Sequence, residues 1–157
     1  MPLPLPADPA FDRFVEVWLK LLDEEEDGAC VVVVEGDRDR LSVRRLGWTG
    51  PVVAVHGGRT LSRTAHQLAR GRRKTIVLTD WDTEGGHLAH RLKEFLEAES
   101  VELDLGYRQR LARILRGELV HVEGLYGWAR RHAEATGRSL DTLLDGRPGS
   151  PERLATG

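Results

Sequence analysis

Three carboxylates in this chain are spaced for metal chemistry. The apolar run Cys30-Val31-Val32-Val33-Val34 is followed at once by Glu35-Gly36, and the run from Thr75 to Thr79 by Asp80-Trp81-Asp82. A carboxylate ending an all-valine strand is partly desolvated and needs a partner. Aspartates two apart in an extended segment project to the same side and can share a cation, whereas without one their like charges repel. A few carboxylates completed by water and a substrate phosphate suit Mg²⁺, with Mn²⁺ as a substitute. Glu35, Asp80 and Asp82 are therefore the candidate metal and catalytic residues. The plain alternative is capping: Asp82 can cap the helix that follows it, and Asp37 or Asp39 the helix after Glu35. A supporting role near the acids is the second reading of Asp37 and Asp39.

Glycine recurs beside these acids. Gly36 follows Glu35, Gly57-Gly58 follows a second short apolar run, and Gly85-Gly86 opens a helical pattern. Such turns let backbone approach a phosphate. With Arg59 and Arg63 next to the middle turn, the candidate phosphate or nucleic-acid contacts are Gly36, Gly57, Gly58, Arg59, Arg63 and Gly85. His56 stands at the same turn, as a contact or as turn packing. Trp81 can stack on a base or pack beneath its loop. His87 and His90 have helical i, i+3 spacing but no further His or Cys nearby, which favours solvated or substrate-facing roles over a separate metal site.

The elements that must position these groups alternate. Strands are expected at residues 30–34, 51–55 and 75–79, with a short one at 101–105, and helices at 39–46, 61–69 and 85–99. Unbroken β-branched strands between helices imply a parallel sheet covered on both faces, with right-handed crossovers. In such sheets ligands bind outside the carboxyl ends of the strands, where Glu35, Asp80 and Asp82 fall. The cluster Arg70-Gly71-Arg72-Arg73-Lys74 precedes a strand and belongs at the opposite edge. Ahead of the core, Asp8-Pro9 starts an amphipathic helix with Phe11, Phe14, Val15, Trp18, Leu19 and Leu22 on one stripe. Its acidic end, residues 23–27, predicts fraying and a turn. Helices are expected again at 107–116, 122–135 and 140–144. The expected division is residues 1–28 as a packed N-terminal helix, 29–105 as the core, 106–145 as a helical appendage and 146–157 as a frayed tail.

Composition narrows the function classes. The 157 residues carry a net charge of −2, so there is no global basic field and any nucleic-acid binding must be local. Among 23 cationic side chains only Lys20, Lys74 and Lys93 are lysines, and arginine is the better bidentate phosphate ligand. A GC-rich genome gives the same bias without any function. The single Cys30 fits a buried thiol in a reducing compartment, and the longest apolar run is too short to span a bilayer. A cytoplasmic protein without a membrane partner is expected.

Residues 30–105 resemble the Toprim domain. VVVVEGDRDRLSVRRLG is similar to its first motif, an apolar strand ending in Glu-Gly, and IVLTDWDTEGG to its second, Asp-x-Asp in a Thr-Asp-x-Asp-x-Glu-Gly setting. VVAVHGG falls where the family has its middle strand and glycine turn. The tail is similar to that of small stand-alone archaeal Toprim proteins, which resemble ribosomal-RNA maturation nucleases. The resemblance implies a three-layer α/β fold, Asp80 and Asp82 as ligands of Mg²⁺, Glu35 as general acid/base, and nucleic acid, RNA or DNA, as the partner. Many members carry a third acid where this chain has Gly86, which bears on a second metal. The expected function is Mg²⁺-dependent phosphodiester hydrolysis. Its rivals are a non-catalytic nucleic-acid or repair module and a haloacid-dehalogenase-type phosphatase, because Asp80 to Thr83 also reads Asp-x-Asp-x-Thr.

Overall fold

The computed structural model describes residues 6–56 and 60–145. Four parallel strands, β1 (Cys30–Val34), β2 (Val52–Ala54), β3 (Lys74–Val77) and β4 (Leu103–Asp104), form one sheet in the order β2-β1-β3-β4. The connections are helical: α2 (Asp37–Arg45) leads to β2, α3 (Leu61–Gly71) to β3 and α4 (Thr83–Ala98) to β4. Because β1 pairs with β2 on one side and with β3 on the other, the strand order reverses between β1 and β3. That switch point opens a crevice at the carboxyl ends of the strands.

All five residues of β1 are buried. Successive side chains of a strand alternate between faces, and the core divides accordingly. Val32 and Val34 join the larger cluster with Phe11, Trp18, Leu46 and Trp128, while Val31 and Val33 join Ala65, Leu92 and Leu96 of α3 and α4. The result is the three-layer α/β architecture that unbroken valines require.

The larger layer is built from both ends of the chain. Asp8 accepts a hydrogen bond from the amide of Phe11, capping α1 (Pro9–Asp23), whose Phe11, Phe14, Trp18, Leu21 and Leu22 are buried. Val15 and Leu19 lie at the edge of this stripe and are only partly covered. The acidic end of α1 is held as well as turned: Glu24 meets Lys74 at 2.6 Å, and Glu25 accepts the amide of Gly28 at 2.6 Å. Lys74, at the start of β3, thus pairs with carboxylates at the edge away from the crevice. The later helices are α5 (Gly106–Leu115), α6 (Leu125–Ala135) and α7 (Leu140–Asp145), with a 3-10 turn at Val122–Gly124. Their Leu111, Leu115, Leu125, Trp128 and Leu144 pack into the same cluster as α1.

The first strand falls at the expected residues, and the other element boundaries lie within three residues of the sequence expectation. The third strand ends at Val77 rather than residue 79, and its helix starts at Thr83 rather than residue 85, so the connection that carries Asp80 and Asp82 spans residues 78–82. The expected frayed tail at 146–157 lies outside the described residues. No helix among the described residues is long and apolar enough to cross a membrane.

Candidate metal centre

Glu35 leaves β1 directly at the crevice, and the turn after β3 brings Asp80 and Asp82 opposite it. Asp39, in the first turn of α2, completes the acidic group. One carboxylate oxygen each of Glu35, Asp39 and Asp80 lie within 4.8 Å of one another. Asp39 and Asp80 are 7% and 8% exposed, so neither charge is relieved by bulk water.

The electrostatics follow from this crowding. Burial, a hydrogen bond to Asp80 and the charges of Asp80, Asp82 and Asp39 push the Glu35 carboxyl up to about 8. Burial likewise raises Asp39, with the Asp80 and Glu123 charges adding and bonds from the amides of Gly36 and Glu123 opposing. The Gly36 amide donates to Asp39 Oδ2 at 2.9 Å, which ties α2 to the end of β1.

The aspartates of the turn are each held by one oxygen. Asp82 Oδ1 accepts the amide of Gly85 at 2.7 Å, capping α4. Capping leaves Asp82 Oδ2 turned towards His121 at 3.3 Å, so Asp82 groups with Asp80 and His121 rather than with Glu35 and Asp39. Asp80 Oδ1 accepts the amide of Val122 at 2.8 Å. A side chain at Gly85 would place its Cβ 1.9 Å from the Asp80 carbonyl oxygen, so glycine is required for this close approach.

Two groups in the C-terminal segment were not marked by motif or spacing. Arg108, on α5, donates from Nε to the carbonyl and hydroxyl oxygens of Thr79, both at 3.0 Å, and from Nη2 to the Asp80 carbonyl at 2.7 Å. Burial lowers its pKa, against the opposing pull of Glu35, Asp82 and Asp80. His121 arrives through a segment laced to the acidic turn. Trp81 donates its amide to Val120 O at 3.0 Å and its Nε1 to Leu119 O at 2.6 Å, and the Val122 amide reaches Asp80. One oxygen each of Asp80 and Asp82 and a ring nitrogen of His121 lie within 4.8 Å of one another.

The other candidates separate. Trp81 is buried and packs beneath its loop. The amides of Gly36 and Gly85 are committed to Asp39 and Asp82, so neither is free for a phosphate. Arg63 is exposed in the first turn of α3, and His56 is exposed with its amide bonded to Glu35 O at 2.9 Å. His90 pairs with Glu94 at 2.9 Å on the solvent side of α4, and His87 is exposed. Gly57, Gly58 and Arg59 lie outside the described residues.

Residues 30–114 match the family profile of the Toprim domain. The chain belongs to the Toprim family. It is also 34% identical over 132 residues to the "UPF0292 protein" of Methanosarcina acetivorans, covering 83% of this chain and 89% of that one. Its identity to the "UPF0292 protein TK1411" of Thermococcus kodakarensis is 31% over 136 residues, covering 87% and 95% of the two chains. A solved structure of a protein from Aquifex aeolicus is similar at a TM-score of 0.57 and 26% identity, covering 69% of this chain and 94% of that one. Toprim domains bind divalent metals and are nucleic-acid related, which gives this chain its broad functional class. Toprim membership also accounts for Asp80 to Thr83 without the phosphatase reading.

The donor set fits a divalent cation. Hard carboxylate oxygens from two strand ends and a helix converge, and Arg108 Nε and Nη2 donate to Thr79 and to the Asp80 carbonyl.

Proposed function

We propose that this Toprim protein hydrolyses phosphodiester bonds of nucleic acid at the Glu35–Asp80–Asp82 crevice, with Mg²⁺ or Mn²⁺ as cofactor. The observation that carries the reading is the position of Glu35: it comes from a different strand end from the aspartates, yet one of its oxygens lies within 4.8 Å of oxygens of Asp80 and Asp39, and burial among these charges raises its pKa to about 8. A divalent cation on Asp80 and Asp82, with Glu35 beside it, would polarise the phosphoryl group and acidify attacking water.

The chain's own residues supply the remainder. Burial and the neighbouring carboxylates raise the Glu35 pKa in the metal-free protein, and from the strand end Glu35 can exchange a proton with the attacking water or the leaving oxygen as general acid/base. Arg108 fixes the carbonyl of Asp80 and so the direction of its carboxylate. Asp39 ties α2 to Gly36, holding Glu35 at the strand end. Beside Asp39, a groove of about 550 Å³ is lined by Arg38, Ser42, Arg45, Glu123, Tyr126 and Arg130. The Arg45 guanidinium lies 5.6 Å from the centre of the Tyr126 ring. Arginines around an aromatic face support a strand that contacts phosphates and stacks a base, which a chain of net charge −2 needs to concentrate locally.

The test is a cleavage screen with Mg²⁺ or Mn²⁺ over structured RNA, single-stranded DNA and duplex DNA. Glu35→Gln should lower turnover by roughly a hundredfold or more with metal affinity little changed. Asp80→Asn/Asp82→Asn should lose metal binding in isothermal titration with the fold intact, since asparagine still accepts the Val122 and Gly85 amides. Binding of nucleic acid without cleavage of any of the three substrates would favour the non-catalytic module.

A further inference from the structure

We infer that His121 is a nitrogen ligand of the cation at Asp80 and Asp82, making the centre a mixed carboxylate–imidazole site that prefers Mn²⁺ and its transition-metal neighbours to Mg²⁺. The inference rests on the metal reading above and extends it to the choice of metal.

Three observations lead to it. First, a His121 ring nitrogen and one oxygen of each aspartate fall within a single 4.8 Å cluster, with Nε2 3.3 Å from Asp82 Oδ2. Second, each aspartate gives its Oδ1 to a backbone amide, Asp80 to Val122 and Asp82 to Gly85. Both carboxylates are thereby oriented before any ion arrives, and the Oδ2 of Asp82 is the oxygen that faces the imidazole. Third, His121 is clamped on both sides. Leu119 O and Val120 O accept from Trp81, and the Val122 amide donates to Asp80, so the backbone around His121 is bonded to the very turn that carries the aspartates.

A simple ion pair accounts poorly for this placement. The His121 and Asp82 side chains are 50% and 33% exposed, where an isolated pair contributes little. Imidazole is a poor partner for Mg²⁺, which holds oxygen ligands in near-ideal octahedral geometry. Replacing one oxygen by a nitrogen ligand favours first-row transition metals, in rising order from Mn²⁺ to Cu²⁺.

Pulsed electron paramagnetic resonance on the full chain loaded with Mn²⁺ reads the ligand directly. The wild type should show nitrogen-14 modulation of histidine type, and His121→Gln should lose it while still binding Mn²⁺. In parallel titrations with Mg²⁺ and Mn²⁺, the preference for Mn²⁺ should fall by roughly tenfold or more in His121→Gln and His121→Ala. Wild-type protein that binds Mn²⁺ without nitrogen modulation would overturn the role of His121 and leave the carboxylate centre standing. Modulation that persists in His121→Gln would assign the nitrogen elsewhere and overturn it equally. Failure of the wild type to bind either metal would overturn both readings.

Discussion

The amide of Val122 donates a buried 2.8 Å hydrogen bond to Oδ1 of Asp80, across 42 residues of sequence. Together with the two bonds from Trp81 to Val120 and Leu119, it makes the C-terminal segment part of the acidic turn. The placement of the candidate ligands therefore depends on backbone groups and on Trp81, which carry none of the candidate ligand atoms.

Trp81→Phe tests that dependence. The ring volume is largely kept while the Nε1 bond to Leu119 O is lost, and the cost should be about 1–2 kcal/mol in urea denaturation. Metal affinity measured by titration should fall as well, because the segment bearing His121 is loosened. An unchanged affinity would show that the segment holds its place without this bond.

Glu35 gives the metal-free protein a pH signature. Its pKa is raised by burial and by Asp80, Asp82 and Asp39, from 4.5 to about 8, so the folded state binds its proton more tightly than the unfolded chain. Its contribution to stability is fully present below about 4.5 and is lost as pH rises through about 8. Asp39, also raised, acts in the same direction. In a chelator-treated sample the melting temperature should therefore drop across this window, and Glu35→Gln should flatten the drop. Equal slopes in the two proteins would assign the pH dependence to other groups.

Gly85 and Gly86 should respond differently to alanine. At Gly85 a Cβ would stand 1.9 Å from the Asp80 carbonyl oxygen, which is backbone and cannot swing away. Gly85→Ala should destabilise by about 1–3 kcal/mol and weaken metal binding by displacing the acidic turn. At Gly86 the nearest atom is Arg108 Nη2 at 3.7 Å, an ordinary contact, and Gly86→Ala should fold and bind metal as the wild type does. Calorimetric melting and metal titration of both variants check the contrast.

The N-terminal helix should be structural. Trp18 is fully buried, and its Nε1 donates to Leu46 O at 2.8 Å. Trp18→Ala should cost about 3–5 kcal/mol by denaturant unfolding. A loss within experimental error would instead favour an exposed partner surface.

Much of this protein was legible along the chain because it depends on local pattern. Unbroken valines between helical stretches dictate a parallel sheet buried on both faces, and the carboxyl ends of its strands dictate where Glu35, Asp80 and Asp82 gather. The cap at Asp8-Pro9 and the buried stripe of α1 are equally local, since they follow from residue type at helical spacing. What only tertiary structure decided lies in contacts between distant segments. Asp39 was readable as a helix-capping acid, but its closeness to Glu35 and Asp80 depends on how α2 leaves the switch point. Arg108 belongs to a run of arginines at 108, 110, 113 and 116, and nothing in that run distinguishes the one that turns inward to Thr79 and Asp80. His121 stands in no motif at all. Its place beside Asp82 is fixed by bonds that the backbone groups of Leu119, Val120 and Val122 make to Trp81 and Asp80, about 40 positions away, and backbone donors and acceptors are the same at every non-proline residue. Side-chain types therefore locate the acidic half of the crevice, while the fold alone chooses the guanidinium of Arg108 and the imidazole of His121 that stand beside it.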